Sequence, residues 1–179
     1  MKPPDISGYR LGREGSDWAS VKSAKDMVEV ILKTAKQLLL KDGHHSPMIF
    51  AVTENEAIIC PIGQFLQTEE GKDSVGDMVR SIIAKFNAQG IGMVTESWMV
   101  KAGDGVKSED LLHIQASKHP ARIEVLITSA NWNDGSQYVR ILRMVRDNQG
   151  KVTQLVELED ESGLSELSGR FTNFFDKSV

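Results

Sequence analysis

The sequence predicts an α+β domain: one largely antiparallel sheet of about six strands covered by helices, in the order α-β-β-α-β-β-β-β-α. Three observations lead there. Two long stretches place apolar residues at helical spacing, so that each presents one apolar stripe. Six shorter runs are rich in β-branched and aromatic residues and read as strands. Tight-turn signals join several of those runs, and strands joined by tight turns are antiparallel. With 179 residues, 40% of them hydrophobic and 26% charged, the chain has enough apolar material for one core.

Residues 1–16 hold Pro3, Pro4, Gly8, Gly12 and Gly15 and read as an irregular N-terminal arm. Residues 17–179 read as a single α+β domain. Ser16 and Asp17 offer an N-terminal cap for a helix over 18–40, whose stripe includes Val21, Met27, Val28, Ile31, Ala35 and Leu39. Gly43 is placed to end it in the left-handed conformation. Strands at 48–52 and 57–62 follow as a hairpin, with Pro61 required at an edge, an end or a bulge because it lacks an N–H. A second helix over 73–87 carries Val75, Met78, Val79, Ile82, Ile83 and Phe86 on one side.

The stretch 90–101 is the strand on which the chain is organised. Ile91, Met93, Thr95, Ser97 and Met99 face one way, and Val94, Glu96, Trp98 and Val100 the other. Two largely apolar faces suit a strand in the middle of a sheet with layers on both sides. A polar connection over 102–120 leads to a strand over 122–130. Asp134-Gly135 then turns the chain into a strand over 137–146, a second turn at 147–150 leads into a strand over 152–158, and a terminal helix is expected over 165–175.

Glu96 poses the chemical question, because a carboxylate inside a sheet is costly unless paired or protonated. Arg122, on the next strand, is its expected partner, since a guanidinium matches a carboxylate's geometry. Glu124 belongs to the same constellation. The group reads either as a carboxylate held for proton transfer or ligand binding, or as an internal ion pair that fixes strand register. His113 and His119 are candidate proton carriers beside Glu96. His44, His45, His113 and His119 show no metal-binding spacing, so no metal and no cofactor is expected. Cys60 is the single cysteine and reads as packing. Trp132, in a turn, reads either as an exposed interface anchor or as a ring folded over the sheet edge. Arg140, Arg143, Arg146 and Lys151 do not form one basic stripe, since Arg143 faces away from Arg140 and Arg146. The Gly90-Ile91-Gly92 pair of glycines is not followed by a helix and is not a dinucleotide fingerprint. No phosphate loop or serine-nucleophile motif occurs.

Thr95-Glu96-Ser97-Trp98-Met99, with Ser117-Lys118-His119-Pro120-Ala121-Arg122-Ile123-Glu124, resembles a pattern in a group of uncharacterised small bacterial proteins. The resemblance covers about residues 91–127 and implies no function. It singles out the same Glu96 and Arg122.

A net charge of −4 argues against broad binding to nucleic acid or anionic membranes. No apolar run reaches the roughly 18–20 residues that span a bilayer, and the first residues lack an apolar signal core, so a cytoplasmic protein is expected. The function expected first is a soluble, non-enzymatic binding or assembly domain, in the form of a homodimer or with a protein partner. The alternatives are a small enzyme, or a ligand-binding sensor, with its site near Glu96, Arg122 and the 102–120 connection.

Overall fold

The computed structural model describes residues 9–100, 116–158 and 174–175. Its framework is a seven-stranded sheet in the order β1-β3-β2-β4-β5-β6-β7, every neighbouring pair antiparallel. The strands are β1 (Tyr9–Gly12), β2 (Met48–Val52), β3 (Glu56–Pro61), β4 (Gly90–Met99), β5 (Ile123–Trp132), β6 (Gln137–Arg146) and β7 (Val152–Glu157). Two helices, α1 (Ala24–Asp42) and α2 (Glu69–Phe86), complete an α+β fold. β4 is the middle strand, as its two apolar faces require.

The seventh strand comes from the arm. Tyr9–Gly12 pairs along β3, and Arg13 anchors the chain beyond it. The Arg13 guanidinium donates to the carbonyls of Trp18 at 3.0 Å, Thr53 at 2.7 Å and Val21 at 2.5 Å. All four β1 residues are exposed. Their order comes from backbone pairing, which leaves no apolar periodicity to read.

α1 begins later than the stripe suggests. Residues Asp17–Ser20 form a separate 3-10 turn, and Ser16 makes no side-chain cap. The working cap is Ser23, whose Oγ accepts from the Asp26 N–H at 3.1 Å while donating to the Asp26 carboxylate. Gly43 closes the helix with φ +78°, where a side chain would be strained. α2 begins earlier than its stripe. Thr68 accepts from the Gly71 N–H at 3.0 Å, and a Cβ at Gly71 would overlap the Phe65 carbonyl. The absence of a side chain at Gly71 is therefore what lets the first turn of α2 pack.

The helices cover opposite faces. Met27, Ile31, Leu32 and Leu39 of α1 pack on Phe50, Val52, Val94, Leu126, Ala130, Trp132, Leu142 and Met144. Val75, Met78, Val79 and Ile82 of α2 pack on Ile49, Ala51, Ile58, Cys60 and Ile91. α1 can lie close because Gly90 and Gly92 present no side chain on its face of β4. A Cβ at Gly92 would stand 2.6 Å from Ile31 Cδ1, and one at Gly90 would overlap the Trp132 ring. The expected terminal helix lies outside the described residues except for Phe174 and Phe175, which pack partly buried against the α2 cluster. Among the described residues no helix is long and apolar enough to cross a membrane.

Candidate functional site

The even-numbered residues of β4 face α1. Val94 lies under the helix. Two positions on, Glu96 lies where α1 has ended at Gly43 and the chain turns through His44 and His45 toward β2. The His45 backbone N–H donates a hydrogen bond to Glu96 Oε1. The register pairs Glu96 with Leu126 and Trp98 with Glu124, so Glu124 is Glu96's diagonal neighbour on the same face.

Arg146, at the end of β6, serves both carboxylates. Its Nε and Nη2 donate to the two oxygens of Glu124, each at 2.7 Å. Nη2 also lies 3.5 Å from Glu96 Oε2. Nη1 donates to the Gly43 carbonyl at 2.7 Å and the Gly150 carbonyl at 2.9 Å. A guanidinium has five N–H donors in a fixed fork. Here that fork ties the end of α1, strands β4, β5 and β6, and the β6–β7 turn into one knot. Placing a cation on the last carbonyls of α1 also suits the negative end of its dipole. The side chains of Glu96, Glu124 and Arg146 are 23%, 21% and 24% exposed. Hydrogen bonds to Glu124, and then the charges of Glu124 and Glu96, raise the Arg146 pKa above its ordinary value against the opposing effect of burial.

The expected partnership of Glu96 with Arg122 is therefore corrected: Arg146 takes that role. Arg122 precedes β5 at the level of Val100, and its guanidinium lies over the Trp98 ring, 4.9 Å from the centroid. It also donates to the His119 carbonyl at 3.4 Å. Parity does not choose between the two arginines. The register, extended, sets Arg122 opposite Val100 and Arg146 opposite Arg122, both on the face of Glu96 and Glu124, and the side-chain contacts decide.

Of the two readings of Trp132, the exposed anchor does not hold: the ring is 7% exposed and belongs to the α1 core, because Gly90 directly across the ladder leaves room for it. The exposed tryptophan is Trp98, at 41%. His119 is buried, and its Nδ1 accepts from the Ala121 N–H at 3.1 Å. His113 lies outside the described residues. Cys60 is buried in the α2 core. Among the described residues no three His, Cys, Asp or Glu side chains are grouped to hold a metal ion.

The basic series divides as parity requires. Arg143 is exposed on the α2 side. Arg140 faces α1, where it bonds both oxygens of Glu157 and lies 2.5 Å from Glu29 Oε1. Those carboxylates hold its pKa above the ordinary value, the Glu157 hydrogen bond contributing most. Beside Arg146, a shallow depression of about 430 Å³ lies between the end of α1 and the β6–β7 turn, lined by Lys41, Gly43, His44, Gly150 and Lys151 among others. Arg146 bonds carbonyls on both of its walls.

His45 is 7% exposed, and its Nδ1 is buried with no hydrogen-bond partner among the described residues. Burial lowers its pKa below the ordinary histidine value; a hydrogen bond at Ser46 and the charge of Glu96 oppose the shift, and His44 adds to it. The unfolded chain takes up this proton near pH 6.5, the folded chain only at lower pH. Between the two values the unfolded state binds more protons, so stability rises with pH in that window. Stability is therefore expected to fall as pH drops below about 6.5, by at most about 1.4 kcal/mol per pH unit. Urea unfolding of the wild type and His45→Gln at pH 7.5 and 5.5 checks this. The wild type should lose more stability than the variant, and equal losses would contradict the assignment.

A family model described as bacteriophage lambda protein ea47 matches residues 5–169. The chain belongs to that family. The match runs from the arm, through β1 and the Arg146 knot, to beyond β7. The ea47 family relates the protein to a phage and assigns it no activity. No curated protein and no solved structure gives a match.

Proposed function

We propose that this member of the ea47 family is a non-enzymatic binding or assembly domain, acting in the cytoplasm as a homodimer or with a protein partner. The observation that carries the reading is the commitment of Arg146. Its guanidinium occupies both oxygens of Glu124 and neutralises Glu96, while Glu96 also holds the His45 backbone. An enzyme using Glu96 as acid or base and Arg122 as anion anchor needs the two side chains to converge. Arg122 is instead stacked on Trp98. The stacked pair is exposed, and Trp and Arg are the side chains that most often dominate protein interfaces.

Glu96→Gln tests the reading without knowledge of a ligand. A carboxylate that holds structure is missed when it is neutralised: removing a hydrogen-bonded charge from this half-buried knot should cost about 1–2 kcal/mol in urea unfolding. A residue kept for chemistry usually costs stability, so its removal leaves the protein as stable or more so. That second result would count against a structural Glu96.

A further inference from the structure

We infer that the outer edge of β1 is the self-association surface, and that two copies pair antiparallel through it with Leu11 opposite Leu11 of the second copy. The inference rests on the assembly-domain reading and specifies its partner and register.

Three observations carry it. First, the Arg13 N–H bonds the Asn55 carbonyl at 3.0 Å, continuing the β1–β3 register by one step. Bonded and non-bonded pairs alternate along an antiparallel ladder, so Leu11 and Tyr9 bond inward to β3. The backbone groups of Arg10 and Gly12 then point outward. Second, Tyr9 and Leu11 are exposed at 70% and 45%, both on the α1 side of the sheet, where they extend past the core. Natural edges are blunted by bulges, prolines, charges or short length; β1 has neither a bulge nor a proline and relies on its four-residue length and on Arg10 alone. The opposite edge strand, β7, pairs through an irregular register at Val145 and Arg146. Third, charge and length choose among the registers centred on Arg10, Leu11 and Gly12. Pairing centred on Arg10 sets two like charges directly opposite each other, which is unfavourable. Pairing centred on Gly12 runs off the end of the strand after one bonded pair. Pairing centred on Leu11 places Arg10 against Gly12 twice, giving two bonded pairs and an apolar Leu–Leu contact. Gly12 O also accepts from Ser16 Oγ at 3.1 Å, and a carbonyl has a second lone pair for the partner.

Facing residues of a non-bonded antiparallel pair lie close enough for a disulfide. The only native cysteine, Cys60, is buried. Leu11→Cys is therefore expected to form a disulfide-linked dimer under mild oxidation. Tyr9→Cys should not, because its two copies would stand roughly 14 Å apart along the strands. Leu11→Lys should weaken association of the reduced protein by about tenfold or more in sedimentation equilibrium. A wild type that stays monomeric at high concentration overturns both this inference and the homodimer. A wild-type dimer that is insensitive to Leu11→Lys, or whose Tyr9→Cys form links as readily as Leu11→Cys, overturns the β1 register alone and leaves the assembly reading standing.

Discussion

Arg146→Ala is expected to destabilise the protein by about 3 kcal/mol, measured as a shift in the urea midpoint. The mutation leaves Glu96 and Glu124 as diagonal neighbours on adjacent strands with no cation between them. Breaking a buried pair by removing one partner costs about 3–5 kcal/mol. The exposure of these side chains, between one fifth and one quarter, moves the figure to the low end, because water screens part of the repulsion. Two carbonyls, at Gly43 and Gly150, lose their donor in the same step. Arg146→Lys keeps the charge but loses the fork, so it should recover only part of the loss.

Gly90→Val should be as damaging, for a steric reason. Gly90 faces Trp132 across the β4–β5 ladder, and the ring occupies the volume a side chain would take, with Met27 Sδ 3.2 Å from the Cβ position. Neither neighbour has free space, since Met27 is fully buried and Trp132 is 7% exposed. Overpacking of a filled core costs about 1–3 kcal/mol and occasionally more. A loss of about 3 kcal/mol is expected because valine adds three carbons at a site with no room for one. Thermal unfolding reads this, together with a change in Trp132 fluorescence. A variant with wild-type stability would mean that α1 does not press on β4 as described.

These two sites show where the sequence is legible and where it is not. The alternation along 90–101 identifies β4 as a middle strand, because burial on both faces leaves its mark on every side chain. Asp134-Gly135 likewise marks the β5–β6 turn, where Gly135 takes φ +88°. β1 leaves no such mark: its side chains are exposed, and only backbone bonds to β3 define it. Local chemistry also misplaces helix ends. Ser16 and Ser23 are both plausible caps in sequence, and only the packing of Trp18 and Val21 into the core decides that α1 starts after the second.

The candidate site was half legible. A carboxylate in the middle strand had to find a cation, and Glu96 did. The choice between Arg122 and Arg146 was not legible, because the extended register puts both on Glu96's face at the level of Val100; only the side-chain contacts, Arg122 over Trp98 and Arg146 on Glu124, decide it. Trp132 left two readings open in sequence, and only the glycine across the ladder decides for a buried ring.

The knot at Arg146 is tested most directly by a double-mutant cycle with Glu124, using Arg146→Met, Glu124→Gln and the double variant in urea unfolding. With both Glu124 oxygens bonded to one guanidinium, the coupling is expected to exceed about 1 kcal/mol, and the double variant should be more stable than the sum of the single losses implies. Additive losses, within about 0.5 kcal/mol, would contradict the claim that this guanidinium holds the strands and the end of α1 together.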